Sequence, residues 1–148
     1  MDTEDAELAP LMFLEGNWKG EGVGPYGPYQ LEAIVELRGR WLLLTHAIMD
    51  SQSQETSYVS TQVYGYDDTG LTLHYFDTAG SFHFKGKTTD DGLLFDFKDG
   101  ENWKRSHYWV ETNGKIKFRY ESVYPKDGSE VFEGHWTKRS NVHSKGEK

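Results

Sequence analysis

The feature that most constrains this chain is the even recurrence of turn signals along it. Asp67-Asp68-Thr69-Gly70, Thr78-Ala79-Gly80, Asp90-Asp91-Gly92, Asn113-Gly114 and Asp127-Gly128 follow one another at short intervals. Between them lie alternating runs such as Leu71-Thr72-Leu73-His74-Tyr75 and Lys115-Ile116-Lys117-Phe118-Arg119-Tyr120. Alternation at every second residue sends apolar side chains to one face of a strand, and Gly after Asp or Asn permits the positive φ of a tight hairpin. The pattern is a meander of about ten strands, near 16–24, 29–37, 41–50, 57–66, 71–77, 81–88, 93–98, 104–112, 115–124 and 130–138. An open sheet of that length would leave exposed edges, so closure is expected. The fold class is all-β: an antiparallel meander β-barrel of about ten strands.

A short helical turn is expected ahead of the barrel, within residues 3–14, where Thr3 can cap it and Pro10 limits it. Residues 1–139 fit one barrel domain, and the polar, aperiodic segment 140–148 reads as a disordered tail.

Composition narrows the function. A net charge of −8, with no block of Lys and Arg, argues against nucleic acid and against an anionic membrane surface as partners. The chain has no Cys, which excludes disulfides, thiolate zinc sites, Fe–S clusters and a Cys nucleophile. Met1-Asp2-Thr3-Glu4-Asp5 is acidic where a signal peptide would be basic, so a cytoplasmic location is expected.

The first strand reads Gly16-Asn17-Trp18-Lys19-Gly20-Glu21-Gly22-Val23-Gly24. Gly-x-Trp opening an all-β chain resembles the lipocalin and fatty-acid-binding (calycin) superfamily, in which the Trp plugs one end of a ligand-holding barrel. The longer Gly-x-Trp-x-Gly-x-Gly-x-Gly pattern with Tyr26, and the closing Glu133-Gly134-His135-Trp136-Thr137-Lys138-Arg139, look closest to nitrobindins and related bacterial lipocalin-like domains. That resemblance implies a cavity, and for nitrobindins a haem held by a His seven residues before a closing Arg. With Arg139 in that place the position is Phe132, which offers iron no ligand. No cofactor is therefore expected, haem remaining the alternative. Gly22-Val23-Gly24-Pro25-Tyr26-Gly27 also fits a dinucleotide fingerprint, but a strand follows it where that motif needs a helix. Its glycines read as places where strands cross closely or bend.

Hairpin register selects the side chains facing the cavity. If Asn113-Gly114 is a two-residue turn, Thr112 pairs with Lys115, Trp109 with Phe118, His107 with Tyr120 and Arg105 with Ser122. Arg105, His107 and Tyr120 would then form a polar group among Trp18, Trp109 and Phe118, suited to a ligand carboxylate because a guanidinium binds oxygens in pairs. A three-residue turn through Thr112 would flip the strand and put Arg105, His107 and Trp109 outside. Tyr58, Gln62, Tyr64 and Tyr66 alternate on an earlier strand and can line the cavity. At Asp127-Gly128 a Gly-bulge turn is favoured, since it brings Phe132 and Trp136 inward and leaves His135 at the surface. His74 and His83 fall opposite each other on an outward face with no third ligand in view, so no metal is expected. Trp41–Met49 is apolar on both faces, either covered outside by the N-terminal segment or half of a homodimer interface.

Gly-x-Ser-x-Gly, His-Glu-x-x-His and a phosphate loop are all absent. The leading reading is non-catalytic binding of a small, largely apolar ligand by Trp18, Tyr64, Arg105, His107, Trp109, Phe118 and Tyr120. Haem binding of nitrobindin type and a cofactor-free cyclase or isomerase using His107 and Tyr120 are the alternatives.

Overall fold

The computed structural model describes residues 8–126 and 128–139. A short 3-10 turn, Ala9–Leu14, leads into β1 (Gly16–Gly24), β2 (Gly27–Arg38), β3 (Trp41–Asp50), β4 (Thr56–Asp67) and β5 (Gly70–Asp77). The chain continues through β6 (Gly80–Thr89), β7 (Gly92–Asp99), β8 (Asn102–Val110), β9 (Ile116–Tyr124) and β10 (Gly128–Lys138). Each strand pairs antiparallel with its sequence neighbours, and β10 returns to β1 to close the barrel. The expected tail, 140–148, and the proposed Thr3 cap lie outside the described residues.

Alternation decides what each strand buries. On β2, Tyr29, Leu31, Ala33 and Val35 point inward while Gln30, Glu32 and Ile34 face out. The same rule buries Leu42 and Leu44, Leu73, Phe84, and Leu93 and Phe95 in one continuous core. Leu11 and Leu14 join it at one end of the barrel. There Trp18, 2% exposed, donates its indole N–H to the Leu14 carbonyl at 2.7 Å and packs 6.1 Å from Trp136. Trp18 thus closes that end of the barrel against the 3-10 turn.

The glycines of β1 make the closure possible. Gly22 sits opposite Gly134, and a Cβ on either would lie 2.0 Å from the Glu133 carbonyl oxygen or 2.2 Å from that of Glu21. Farther along, a Cβ on Gly24 would strike the Phe132 ring at 2.7 Å. The β1–β2 connection is a hairpin with Gly24 opposite Gly27, so the dinucleotide-like run meets no helix.

The last two hairpins resolve differently. At β9–β10, Phe132 and Trp136 face inward and His135 is exposed, as expected, although Gly128, at φ +97°, is already paired with Tyr124 instead of lying in the turn. At β8–β9 the expected register is wrong by one residue. Val110 pairs with Ile116, the loop holds Thr112, Asn113 and Gly114, and Gly114 adopts φ +84°. Asn-Gly supplies the left-handed residue of a three-residue turn rather than both centres of a two-residue one. The Gly114 N–H donates to the Glu111 carbonyl at 2.9 Å, and Asn113 Oδ1 accepts the Lys115 N–H at 3.0 Å. The pairs are therefore Tyr108 with Phe118, Ser106 with Tyr120 and Lys104 with Ser122.

On the outer wall, Ile34, Val59 and Phe76 are 46%, 51% and 46% exposed and border a groove of about 500 Å³ that includes Ala47 of β3. Among the described residues no helix is long and apolar enough to cross a membrane.

Candidate functional site

The interior holds more polar groups than a packed apolar core requires, and they are joined. Near one end Tyr58 donates its hydroxyl to Asp77 Oδ2 at 2.7 Å. Its proton thus committed, its very short bond to Tyr75 takes the proton from Tyr75. Ser60 lies within reach of the Tyr75 hydroxyl and shares a 2.7 Å bond with His46 Nδ1. Gln62 Nε2 donates to Ser60 Oγ at 3.0 Å, and Tyr64 donates to Gln62 Oε1 at 2.5 Å. Tyr64 then accepts from Tyr108, 2.8 Å away, and Tyr108 is backed by Ser106. The close approach of Ser60 to Tyr75 joins two hydrogen-bonded runs, so a chain of polar side chains passes from Asp77 through the lumen to Ser106.

Strand alternation builds this chain: Tyr58, Ser60, Gln62 and Tyr64 occupy every second position of β4, and Tyr75 and Asp77 do so on β5. Burial raises the pKa of Tyr64, Tyr75, Tyr108 and Tyr120, so these phenols stay protonated donors across the physiological range. A buried polar network with its members paired is stable where an unpaired one would not be.

Burial lowers the His46 pKa to about 4. The unfolded chain protonates this imidazole first, so its contribution to stability is full above about pH 6.5 and is lost as pH falls toward 4. Wild-type protein is expected to lose about 3 kcal/mol more than a His46→Gln variant between pH 7 and pH 4, measured by urea unfolding at each pH. Parallel pH profiles for the two proteins would refute the assignment.

The seven sequence-selected residues divide between the faces. Trp18, Tyr64, Phe118 and Tyr120 are interior: Phe118 packs 5.7 Å from Trp136, and Tyr120 stacks on Tyr75 at 6.1 Å. Arg105, His107 and Trp109 are on the outer face, a correction that follows from the one-residue register change, because the side-chain period of a strand is two. Arg105 pairs there with Asp96, Nε to Oδ1 at 2.6 Å. His107 stacks on Trp109 with ring centroids 3.7 Å apart, and Lys117 lies over that indole. His107 and Tyr120 consequently sit on opposite sides of the wall, and the acid–base pair expected for a cyclase does not form.

The same change turns Lys104 inward. Its ammonium donates to Ser122 Oγ at 3.3 Å and to the Tyr124 hydroxyl, and rests 5.0 Å from the centroid of Phe82. Among the described residues it forms no ion pair with a carboxylate. Lys104 was the interior cation to find, and the three-residue reading of the turn was the signal for it. His46 was hidden in a run that reads as uniformly apolar.

The barrel has a solved counterpart. The crystal structure of Rv2717c from M. tuberculosis superposes with a TM-score of 0.70 at 13% identity, covering 90% of this chain and 98% of that one. Likeness at that identity shows the fold. No family model and no curated protein matches the sequence.

Proposed function

We propose that this barrel binds, without chemistry, a small and largely apolar molecule bearing an anionic oxygen. The observation that carries the reading is Lys104, an inward-facing cation held by two hydroxyls and no carboxylate among the described residues. Phe82, Phe97, Tyr120 and Phe132, partly buried against the core, are the aromatic faces against which the apolar body of such a ligand would pack. Hydroxyls and ring faces hold this ammonium without neutralising its charge, and an anionic ligand oxygen would do so. The competing reading is that Lys104 merely extends its stem along the aromatics to reach water.

The test is titration with 1-anilinonaphthalene-8-sulfonate, an apolar anion whose emission rises on burial. Lys104→Met is expected to weaken binding tenfold or more, the loss of one charge-assisted hydrogen bond of about 1.5–3 kcal/mol. Arg105→Met, on the outer face, is expected to leave it unchanged. The opposite ranking of these two variants would overturn the proposal.

The haem that the nitrobindin resemblance implies as an alternative finds no ligand at the implied position. Phe132 points inward there, 5.8 Å from the Tyr29 ring and 6.4 Å from Tyr120, and supplies no iron ligand. Among the described residues His46 is the inward-facing imidazole. A Soret band on adding haem, lost in His46→Gln, would favour that route over the Lys104 one.

A further inference from the structure

We infer that the outer wall of the barrel carries a divalent transition-metal site formed by Asp67, His74 and His83. The site is independent of the lumen and of the ligand proposed for it. Sequence register places His74 directly opposite His83 on neighbouring strands β5 and β6, and the hairpin through Thr78-Ala79 fixes that pairing. What the sequence does not reveal is the third group. Asp67, the last residue of β4, stands opposite Gly70 at the β4–β5 turn, and its carboxylate reaches the outer face where the two imidazoles lie. One ligand atom from each of the three lies within 4.8 Å of the others.

Three features suit the group to an ion. The imidazoles lie side by side, with centroids 4.4 Å apart and planes 10° from parallel, so a tilt of the exposed His83 ring toward His74 brings one nitrogen of each onto a common point. Trp41 packs edge-on against His74 at 6.3 Å, limiting the rotation of that ring. Thr69 donates both its backbone N–H, at 2.8 Å, and its hydroxyl, at 2.6 Å, to Asp67 Oδ1. That is the kind of outer support that orients a ligating carboxylate, and it leaves Oδ2 unengaged by Thr69.

The donor set selects the ion. Two imidazoles and one carboxylate, in a chain with no Cys, suit Zn²⁺, Cu²⁺ or Ni²⁺ and not the hard ions Mg²⁺ or Ca²⁺. Three protein ligands leave a position open for water or an exogenous donor. A tetrahedral ion with bonds of about 2.0–2.1 Å needs donors about 3.3 Å apart, so the His83 ring and the Asp67 carboxylate turn in toward a His74 ring that Trp41 holds in place. Lys85, whose charge is felt at Asp67, opposes the cation and holds the affinity below that of a four-ligand structural site.

Isothermal titration of untagged full-length protein with ZnCl₂, and separately with MgCl₂, tests this. The expected result is one Zn²⁺ per chain and no Mg²⁺ uptake. His74→Ala and His83→Ala should each weaken Zn²⁺ binding at least 100-fold, and Asp67→Asn about tenfold. His107→Ala and His135→Ala, elsewhere on the outer wall, should leave it unchanged. Each variant alters an outer-wall side chain, and an unchanged metal-free melting temperature will show that the barrel is intact. Absence of Zn²⁺ binding by the wild type, or binding that survives His74→Ala and His83→Ala together, overturns the proposal.

Discussion

Trp18→Ala is expected to lower stability by about 3–5 kcal/mol, read as a shift of the urea midpoint at unchanged slope. Trp18 is 2% exposed, and its ring fills the barrel end against Trp136 and the buried Leu14. Truncation removes a large apolar transfer contribution and leaves a cavity that rigid strands cannot collapse to fill. It also leaves the Leu14 carbonyl without its indole donor, which loosens the 3-10 turn from the barrel. Trp18→Phe keeps a ring and loses the donor, so it should fall between wild type and Ala. Val23→Ala, on the same strand at 61% exposure, should change the midpoint little. A loss under about 1 kcal/mol for Trp18→Ala would show that the barrel end is sealed without it.

Gly22→Ala is expected to cost about 3 kcal/mol or more, as overpacking against backbone that cannot yield. The added methyl would lie 2.0 Å from the Glu133 carbonyl oxygen and 2.8 Å from Gly134 Cα. Relief requires β1 and β10 to part at the seam that closes the barrel, at the expense of their hydrogen bonds. Gly27→Ala is the informative comparison. Its φ is +111° but nothing lies within 4 Å of its absent Cβ, so only conformational strain of about 1–2 kcal/mol applies. Equal losses at the two positions would mean that turn strain, and not the close crossing, explains the glycine run.

The contrast between the two last hairpins shows where reading the chain succeeds. At Asp127-Gly128 two registers compete, and the flanking apolar residues decide: one register buries Phe132 and Trp136, the other would expose them. At Asn113-Gly114 no such arbiter exists. Trp109, His107 and Arg105 alternate with Tyr108, Ser106 and Lys104, and both sets mix aromatic with polar groups. The Asn-Gly pair is compatible with two turn lengths, and one residue of slip exchanges the entire interior set for the exterior one. Arg105, His107 and Trp109 were lost to the site that way, and Lys104 entered it.

Local chemistry in the sequence determined the barrel: period-two alternation, turn glycines and the Gly-x-Trp-x-Gly-x-Gly-x-Gly strand dictate strands, their order and the plugged end. These are short-range effects, fixed by which φ a residue tolerates and which face it must bury. Tertiary structure alone decided the lumen network from Asp77 to Ser106 and the meeting of Asp67 with His74 and His83. Both depend on which residues closure brings across the barrel or onto adjoining strands, and a hydrogen bond of 2.7 Å such as that between His46 and Ser60 is set by distances that no spacing along the chain encodes.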